Sequence, residues 1–274
     1  MKIVSYNVNG VRSALEKDLT GWMDENQFDI VCLQETKSHQ GGVPVLLIES
    51  LGYKHYWHSA KRNGYSGVAT FSKLKPTRVY KGTGISKYDD EGRVIRTDFD
   101  TDSGEFTILN CYFPNGGSGP ERQAFKMQFL DDFYYWVEGL LEERPNIIVV
   151  GDYNIAHHKI DINDPVRNKN SSGFKPEERA WMTKWFEGGF VDAFRSLHPD
   201  EVSYTWWGRL SLPGKPIKAG GWTTLRSVTR FSIKSSRRRI CTMLFIQIIA
   251  RFYLKLISID AIMIVLNSIV PSIQ

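Results

Sequence analysis

The run "IIVV" at 147–150, preceded by "PN" and followed by "GDYN" at 151–154, constrains the fold more than any other stretch of this chain. Four β-branched apolar residues without polar alternation make a strand that needs cover on both faces. Such a strand lies inside a layered structure, and its Gly-Asp-Tyr-Asn end is where polar chemistry can begin.

The first 207 residues supply the layers. "KIVSYNV" (2–8) alternates and is β-branched, and "FDIVCLQET" (28–36) reads as a buried strand with a polar end. "SGVATFSK" (66–73), "RVIRTDFD" (93–100) and "EFTILNCYFPN" (105–115) read as antiparallel strands joined by Gly- and Asp-containing turns. Helices are expected at 15–26, at 120–143 behind Pro120, and at 175–189, where Pro and acids occupy the first turn. Strands mixed with helices in this way predict an α/β (α+β) layered sandwich.

Charge divides the chain. Of its 35 Lys and Arg and 30 Asp and Glu, residues 208–274 hold 11 basic residues and one acid, Asp260. The overall +5 therefore comes from a tail near +10, while residues 1–207 sit near −5. A basic total of this origin says nothing about nucleic-acid binding by the first part. Cys32, Cys111 and Cys241 are too few and too scattered for a disulfide framework or a metal knuckle. With a strand-like start instead of an apolar leader, they predict a reducing, cytoplasmic setting. The apolar run 240–250 is eleven residues long and Arg251, Lys255 and Asp260 follow it; a bilayer span takes about 20 residues, so no membrane partner is expected.

Three strand ends carry oxygen-rich clusters: Asn7 and Asn9, Gln34-Glu35, and Gly151-Asp152-Tyr153-Asn154. Carboxylates and amides on neighbouring strand ends suit a hard divalent cation such as Mg²⁺ or Mn²⁺, which would neutralise a phosphate and help generate a hydroxide. Asp152 would then orient or deprotonate the water, and Tyr112 would meet a phosphate oxygen or support the leaving group. Each residue alone also has a plain reading. Asn7 suits a turn, Glu35 a solvated strand end, and "GDYN" an Asx turn. His157 and His158 diverge as neighbours and suit surface or supporting roles; Trp206 and Trp207 suit a core.

The joint arrangement resembles the exonuclease III family of DNA repair nucleases, within the endonuclease/exonuclease/phosphatase superfamily. "SYNVNGVRSA", "DIVCLQETK", "GYSGVATFSK", "EGRVIRTDF", "CYFPNG", "VVGDYNIAHHKIDI", "GFKPEERAWM", "GFVDAFRSLHP" and "YTWW" carry the resemblance, in family order through residues 1–207. It implies a four-layered sandwich, two mixed β-sheets flanked by helices, with the site at one edge. It places Asn7, Glu35, Asp152 and Asn154 at metal positions, and Tyr112, Asp152 and Asn154 in catalysis. Arg93 and Asn115 match residues that contact the DNA backbone or phosphate. The implied activity is Mg²⁺-dependent phosphodiester hydrolysis, with Mn²⁺ as substitute. The implied cuts lie 5′ to abasic sites and at 3′ ends of double-stranded DNA. A monomer is expected. The rival readings are a superfamily phosphodiesterase acting on a lipid or small phosphate ester, and a non-catalytic DNA-binding remnant.

The resemblance stops after "YTWW". The family pattern continues with Gly-Trp-Arg-Leu-Asp-Tyr and, near the end, Ser-Asp-His-Cys-Pro, whose Asp and His complete the catalytic site. This chain has no histidine after His198. The genetic code accounts for the loss. Let each hidden codon combine the third base of one codon with the first two of the next. Lys218 to Leu225, "KAGGWTTL", then permits Gly-Trp-Arg-Leu-Asp-Tyr, the Trp222–Thr223 junction giving GAC, an Asp codon, without ambiguity. Ile246 to Phe252, "IQIIARF", permits Ser-Asp-His-Cys-Pro-Val in the same frame. Residues 1–207 are thus expected to form an incomplete nuclease domain and 208–274 a frameshifted tail, the shift falling near 207–211. Losing the hidden strands should leave one sheet with an open edge and an uncovered apolar face. Sequencing the gene across codons 200–215 should locate the shift, and reading on through codon 252 should give both hidden motifs intact in the shifted frame; a stop codon between them would refute the frame reading.

Overall fold

The computed structural model describes residues 1–102 and 104–203, together with the backbone of three later strands, Thr229–Lys234, Leu244–Ile248 and Ala261–Leu266. In chain order the elements are β1 (Lys2–Asn7), α1 (Val11–Glu16), α2 (Leu19–Asn26), β2 (Ile30–Gln34), α3 (Leu46–Glu49), β3 (Lys54–His58) and β4 (Val68–Ser72). There follow β5 (Arg78–Lys81), α4 (Ser86–Asp89), β6 (Val94–Thr101), β7 (Gly104–Tyr112), α5 (Pro120–Glu143) and β8 (Ile147–Asp152). Then come α6 (Pro176–Glu187), β9 (Val191–Asp192) and α7 (Ala193–Leu197), and the three later strands are β10, β11 and β12.

Among the described residues the strands form two six-stranded sheets, ordered β11-β12-β1-β2-β4-β3 and β5-β6-β7-β8-β10-β9. Each is mixed. β1 runs parallel to β2 and β7 parallel to β8, while β2–β4 and β6–β7 are antiparallel. β8, apolar from Ile147 to Val150, sits inside its sheet with every residue of Ile147–Asp152 buried, as its sequence requires. One core cluster joins Ile3, Ile30 and Cys32 of the first sheet to Phe99, Ile108, Ile148 and Val150 of the second. A second packs Val4, Val31 and Leu33 under Val11, Leu19 and Met23 of α1 and α2. A third packs Leu109, Ile147 and Val149 under Phe129, Phe133, Val137, Trp181 and Trp185 of α5 and α6. Helix, sheet, sheet, helix is the expected four-layered sandwich.

Two expectations are corrected. The helix expected over 15–26 is two helices, because Asp18 takes a left-handed φ of 68° and its carboxylate caps α2 at the Gly21 N–H. The open edge expected of the tail is not found in the backbone. β10 pairs with β8 from Thr229↔Asp152 to Lys234↔Ile147, and β12 pairs with β1 from Lys2↔Val265 to Tyr6↔Ala261. Strand pairing uses main-chain groups, and apolar β-branched runs such as "AIMIVL" provide them whatever their origin. Trp206, Trp207 and the segment 208–228 lie outside the described residues.

A polar seam crosses the otherwise apolar space between the sheets. Gln34 Nε2 of β2 donates to Asn110 Oδ1 of β7 at 2.7 Å and to Ser5 Oγ at 3.0 Å. Asn110 Nδ2 donates back to the Ala69 carbonyl at 2.8 Å. All three side chains are fully buried. Asn110→Ala would remove the acceptor that Gln34 meets across the sheets and the donor to the Ala69 carbonyl, so it should destabilise the fold by about 1–3 kcal/mol in urea unfolding; no measurable change would show that the seam does not hold the sheets.

Candidate active site

The parallel pairs β1–β2 and β7–β8 end on one side of the sandwich, and there the expected residues converge. The pairing runs on past the strands: Val8 N donates to Gln34 O, Gly10 N to Glu35 O and Val11 N to Thr36 O, at 3.0, 2.8 and 3.0 Å. Glu35 itself has φ 50° and Asn154 has φ 53°, left-handed conformations that ordinary residues adopt at a cost. On the other sheet, Gly151 pairs with Cys111. With φ 136° it brings the chains so close that a Cβ would lie 1.8 Å from the Cys111 carbonyl oxygen. Only glycine fits immediately before Asp152.

Asn7 joins the two sheets. Its Nδ2 donates to Glu35 Oε1 and to Asp152 Oδ2, both at 2.8 Å. The other oxygen, Asp152 Oδ1, accepts from the Asn154 N–H at 2.9 Å. Asn154 turns its side chain inward: Nδ2 donates to the Phe113 carbonyl at 2.9 Å, and Oδ1 accepts from Asn115 Nδ2 at 3.1 Å. Tyr112 is half-buried beside Glu35 and Asp152. Its phenol pKa is driven well above the ordinary value, first by burial and then by the charges of Glu35 and Asp152, with Arg93 opposing. Tyr112 therefore stays a neutral O–H donor at physiological pH.

The structure joins Asn7, Glu35 and Asp152 by direct hydrogen bonds, sets Tyr112 beside them, and links Asn154 and Asn115 behind them. Arg93 is placed differently from an open DNA-facing residue, being only 2 % exposed. It donates to Glu91 at 2.5 Å, to the Tyr112 carbonyl at 2.8 Å and to Tyr65 Oη at 3.2 Å, and its guanidinium lies 4.9 Å from the centre of the Tyr112 ring. In this arrangement it holds Tyr112. His157 is buried against Thr183 at 2.9 Å while His158 is exposed, in keeping with supporting and surface positions.

Several residues here were not anticipated. Lys37 bonds Glu35 at 3.0 Å and also reaches Asn9. Glu91 is clamped by Arg93 and Arg122; burial works to raise its pKa, but the hydrogen bonds and charges of the two arginines hold it below the usual carboxylate range. Lys126 and Glu178 form a fully buried ion pair at 2.6 Å. Lys126 had a legible signal, since it stands in the buried stripe of α5 with Phe129, Leu130, Phe133 and Val137.

The donor set suits a hard divalent cation. It offers two carboxylates and amide oxygens, as Mg²⁺ prefers alongside its own waters. Softer ions favour thiolate or imidazole. No group of three or more His, Cys, Asp or Glu that could hold a metal occurs among the described residues, so Glu35 and Asp152 are the two carboxylates at hand. No helix among them is long and apolar enough to cross a membrane.

Comparison with known proteins agrees with this fold. Residues 4–225 match the model of the endonuclease/exonuclease/phosphatase family. An exodeoxyribonuclease of Bacillus subtilis is 40% identical over 209 residues, covering 76% of this chain and 80% of that protein. The DNA repair nuclease APEX1 of Danio rerio is 38% identical over 210 residues, 76% of this chain and 66% of that protein. Among solved structures, an AP endonuclease from Archaeoglobus fulgidus superposes with a TM-score of 0.81 at 28% identity, covering 97% of this chain and 99% of the other.

The phenols of Tyr53, Tyr88 and Tyr112 all have pKa values raised above 10, burial being the largest cause in each. A raised folded-state pKa contributes stability that is complete below the unfolded value of about 10 and is lost as pH climbs through the folded value. The contribution of these phenols to melting temperature should therefore fall as pH rises above 10, together with late tyrosinate absorbance at 295 nm. Tyr112→Phe should remove one late-titrating phenol; an unchanged titration would refute the assignment for Tyr112.

Proposed function

The chain belongs to the endonuclease/exonuclease/phosphatase family, and from that membership we propose that it is a DNA repair nuclease. In this reading it hydrolyses the phosphodiester bond 5′ to abasic sites and removes nucleotides from 3′ ends of double-stranded DNA. It is a hydrolase of the exodeoxyribonuclease and AP endonuclease kind, as its named relatives are. The observation that carries the reading is the Asn7 amide, which bridges Glu35 of one sheet and Asp152 of the other. It gathers acidic oxygens at the one edge where Tyr112 offers a neutral phenol.

Each residue then has a task. Glu35 and Asp152, with Asn7, would hold Mg²⁺ or Mn²⁺, which when bound supplies positive charge against a phosphate oxygen and acidifies water. Asp152 orients the attacking water and takes its proton, its carboxylate fixed by two N–H donors. Tyr112 donates its O–H to a phosphate oxygen as charge grows there. Arg93 holds Tyr112 from behind. Asn154 fixes Asp152 through its backbone, and Asn115, half-buried beside Asn154, meets the DNA backbone. The reading keeps a cytoplasmic monomer.

The reading extends to the tail. Residues 1–207 form the nuclease part, and 208–274 are the product of a shifted frame. The likeness to the Bacillus subtilis relative spans 76% of the chain, about the share that residues 1–207 make up. The catalytic Asp and His are missing from the sequence, so the chain is impaired. Losing one such preorganised group costs on the order of 10²–10³ in rate, by analogy with an oxyanion donor. Two proteins should be purified, the chain as it stands and one with the frame restored, and assayed with divalent cation on a duplex carrying one abasic site. The restored protein should cut, the present chain should be slower by at least that factor, and Asp152→Asn should silence the restored protein. Equal rates from the first two would refute the impairment, and no cutting by any would refute the nuclease reading.

A further inference from the structure

The buried pair of Lys126 on α5 and Glu178 on α6 lies outside the reacting groups. Both side chains are fully buried. Lys126 Nζ, 2.6 Å from Glu178 Oε1, also donates to the backbone carbonyl of Asn154 at 2.8 Å. Glu178 Oε2 accepts from the N–H groups of Gly173 and Lys175 at 2.7 and 2.9 Å. Glu178 Oε1 takes a further bond from Gln123 at 3.2 Å and a long one from Ser172 Oγ at 3.5 Å. Ser172 Oγ in turn accepts from the Gly116 N–H at 3.0 Å, in the turn that carries Asn115. The pair thus ties both segments that present Asn154 and Asn115 to two packed helices.

A buried ion pair is weak evidence of stabilisation, since well-packed apolar residues often serve a fold as well. What an apolar pair cannot do is donate to the Asn154 carbonyl. Asn154 is held at φ 53°, and its N–H fixes Asp152. The carbonyl of the same residue is the one that meets the ammonium. We infer that Lys126 and Glu178 are positioning residues: their hydrogen-bonded pair locks the left-handed turn at Asn154 and, through it, the orientation of the Asp152 carboxylate. Neither touches a substrate. The inference deepens the proposed nuclease reading, but its first test does not depend on that reading.

The test replaces the pair in the full-length chain by apolar residues of similar size, K126M/E178L, and measures hydrogen exchange by mass spectrometry. A peptide spanning 152–157 should exchange about tenfold faster, while a peptide in β2 keeps its protection, the pattern of a local opening. Lys126→Arg, which keeps the charge and donors, should preserve most of the protection. If the double variant does not fold, Lys126→Gln decides on the same peptide, with a smaller rise expected. Unchanged exchange at 152–157, or a uniform rise across all peptides, would overturn the inference and leave the pair as fold support. The same substitutions in the frame-restored protein should lower kcat on abasic duplex with little change in KM. A local rise in exchange with no cutting by any preparation would leave the positioning pair standing and sink the nuclease reading instead.

Discussion

The hydrogen bond from Gln34 to Asn110 crosses the space between the two sheets at 2.7 Å, and the site depends on it. Sheets packed by apolar side chains alone can slide, because that attraction has no direction. A buried amide pair has one good geometry, and leaving either partner unpaired costs about 1–3 kcal/mol. Gln34 immediately precedes Glu35, and Asn110 stands two residues before Tyr112. Fixing the first pair therefore brings the second pair to one edge. The Asn7 bridge between Glu35 and Asp152 can form only once the sheets are in that register.

Around the bridge, order is bought with strain. Glu35 and Asn154 are both left-handed at φ near 50°. Conformations of that kind cost of order 1–3 kcal/mol each and persist where neighbours over-determine them. The neighbours are visible. The Glu35 carbonyl accepts from Gly10 N, and Lys37 pairs with the Glu35 carboxylate. Asn154 is held at its N–H, its side chain and its carbonyl, by Asp152, Phe113, Asn115 and Lys126. The arrangement trades backbone comfort for carboxylates that need not reorganise.

Much of this was legible in the sequence, for reasons specific to each element. The bounds expected for α5, 120–143, are those observed, because Pro120 marks its start and the apolar stripe is long. β8 declared itself by being apolar from Ile147 to Val150. β3 and β5 did not: "KHYWH" and "RVYK" are edge strands, partly exposed and mixed in polarity, so no clean alternation marks them. The break at Asp18 was hidden because an aspartate within a helical pattern gives no sign of a left-handed φ. The expected site residues gather at one edge of the sandwich, and what the sequence hid is the burial of Arg93, since a guanidinium at a strand start gives no hint that Glu91, two residues away, and Tyr65 will close over it.

The tail separates two kinds of information that a chain carries. Sheet completion draws on main-chain N–H and C=O groups, which nearly any apolar segment of five or six residues supplies. β10 and β12 take their places beside β8 and β1 on that basis. Catalysis draws on particular side chains at particular points, and no backbone pairing can create an imidazole. A shift of reading frame can leave the first kind available, because every residue but proline carries the same main-chain donor and acceptor. It erases the second kind entirely. In the proposed frame reading, the sandwich is whole in outline while the sequence lacks the Asp and His that the family pattern places near the end.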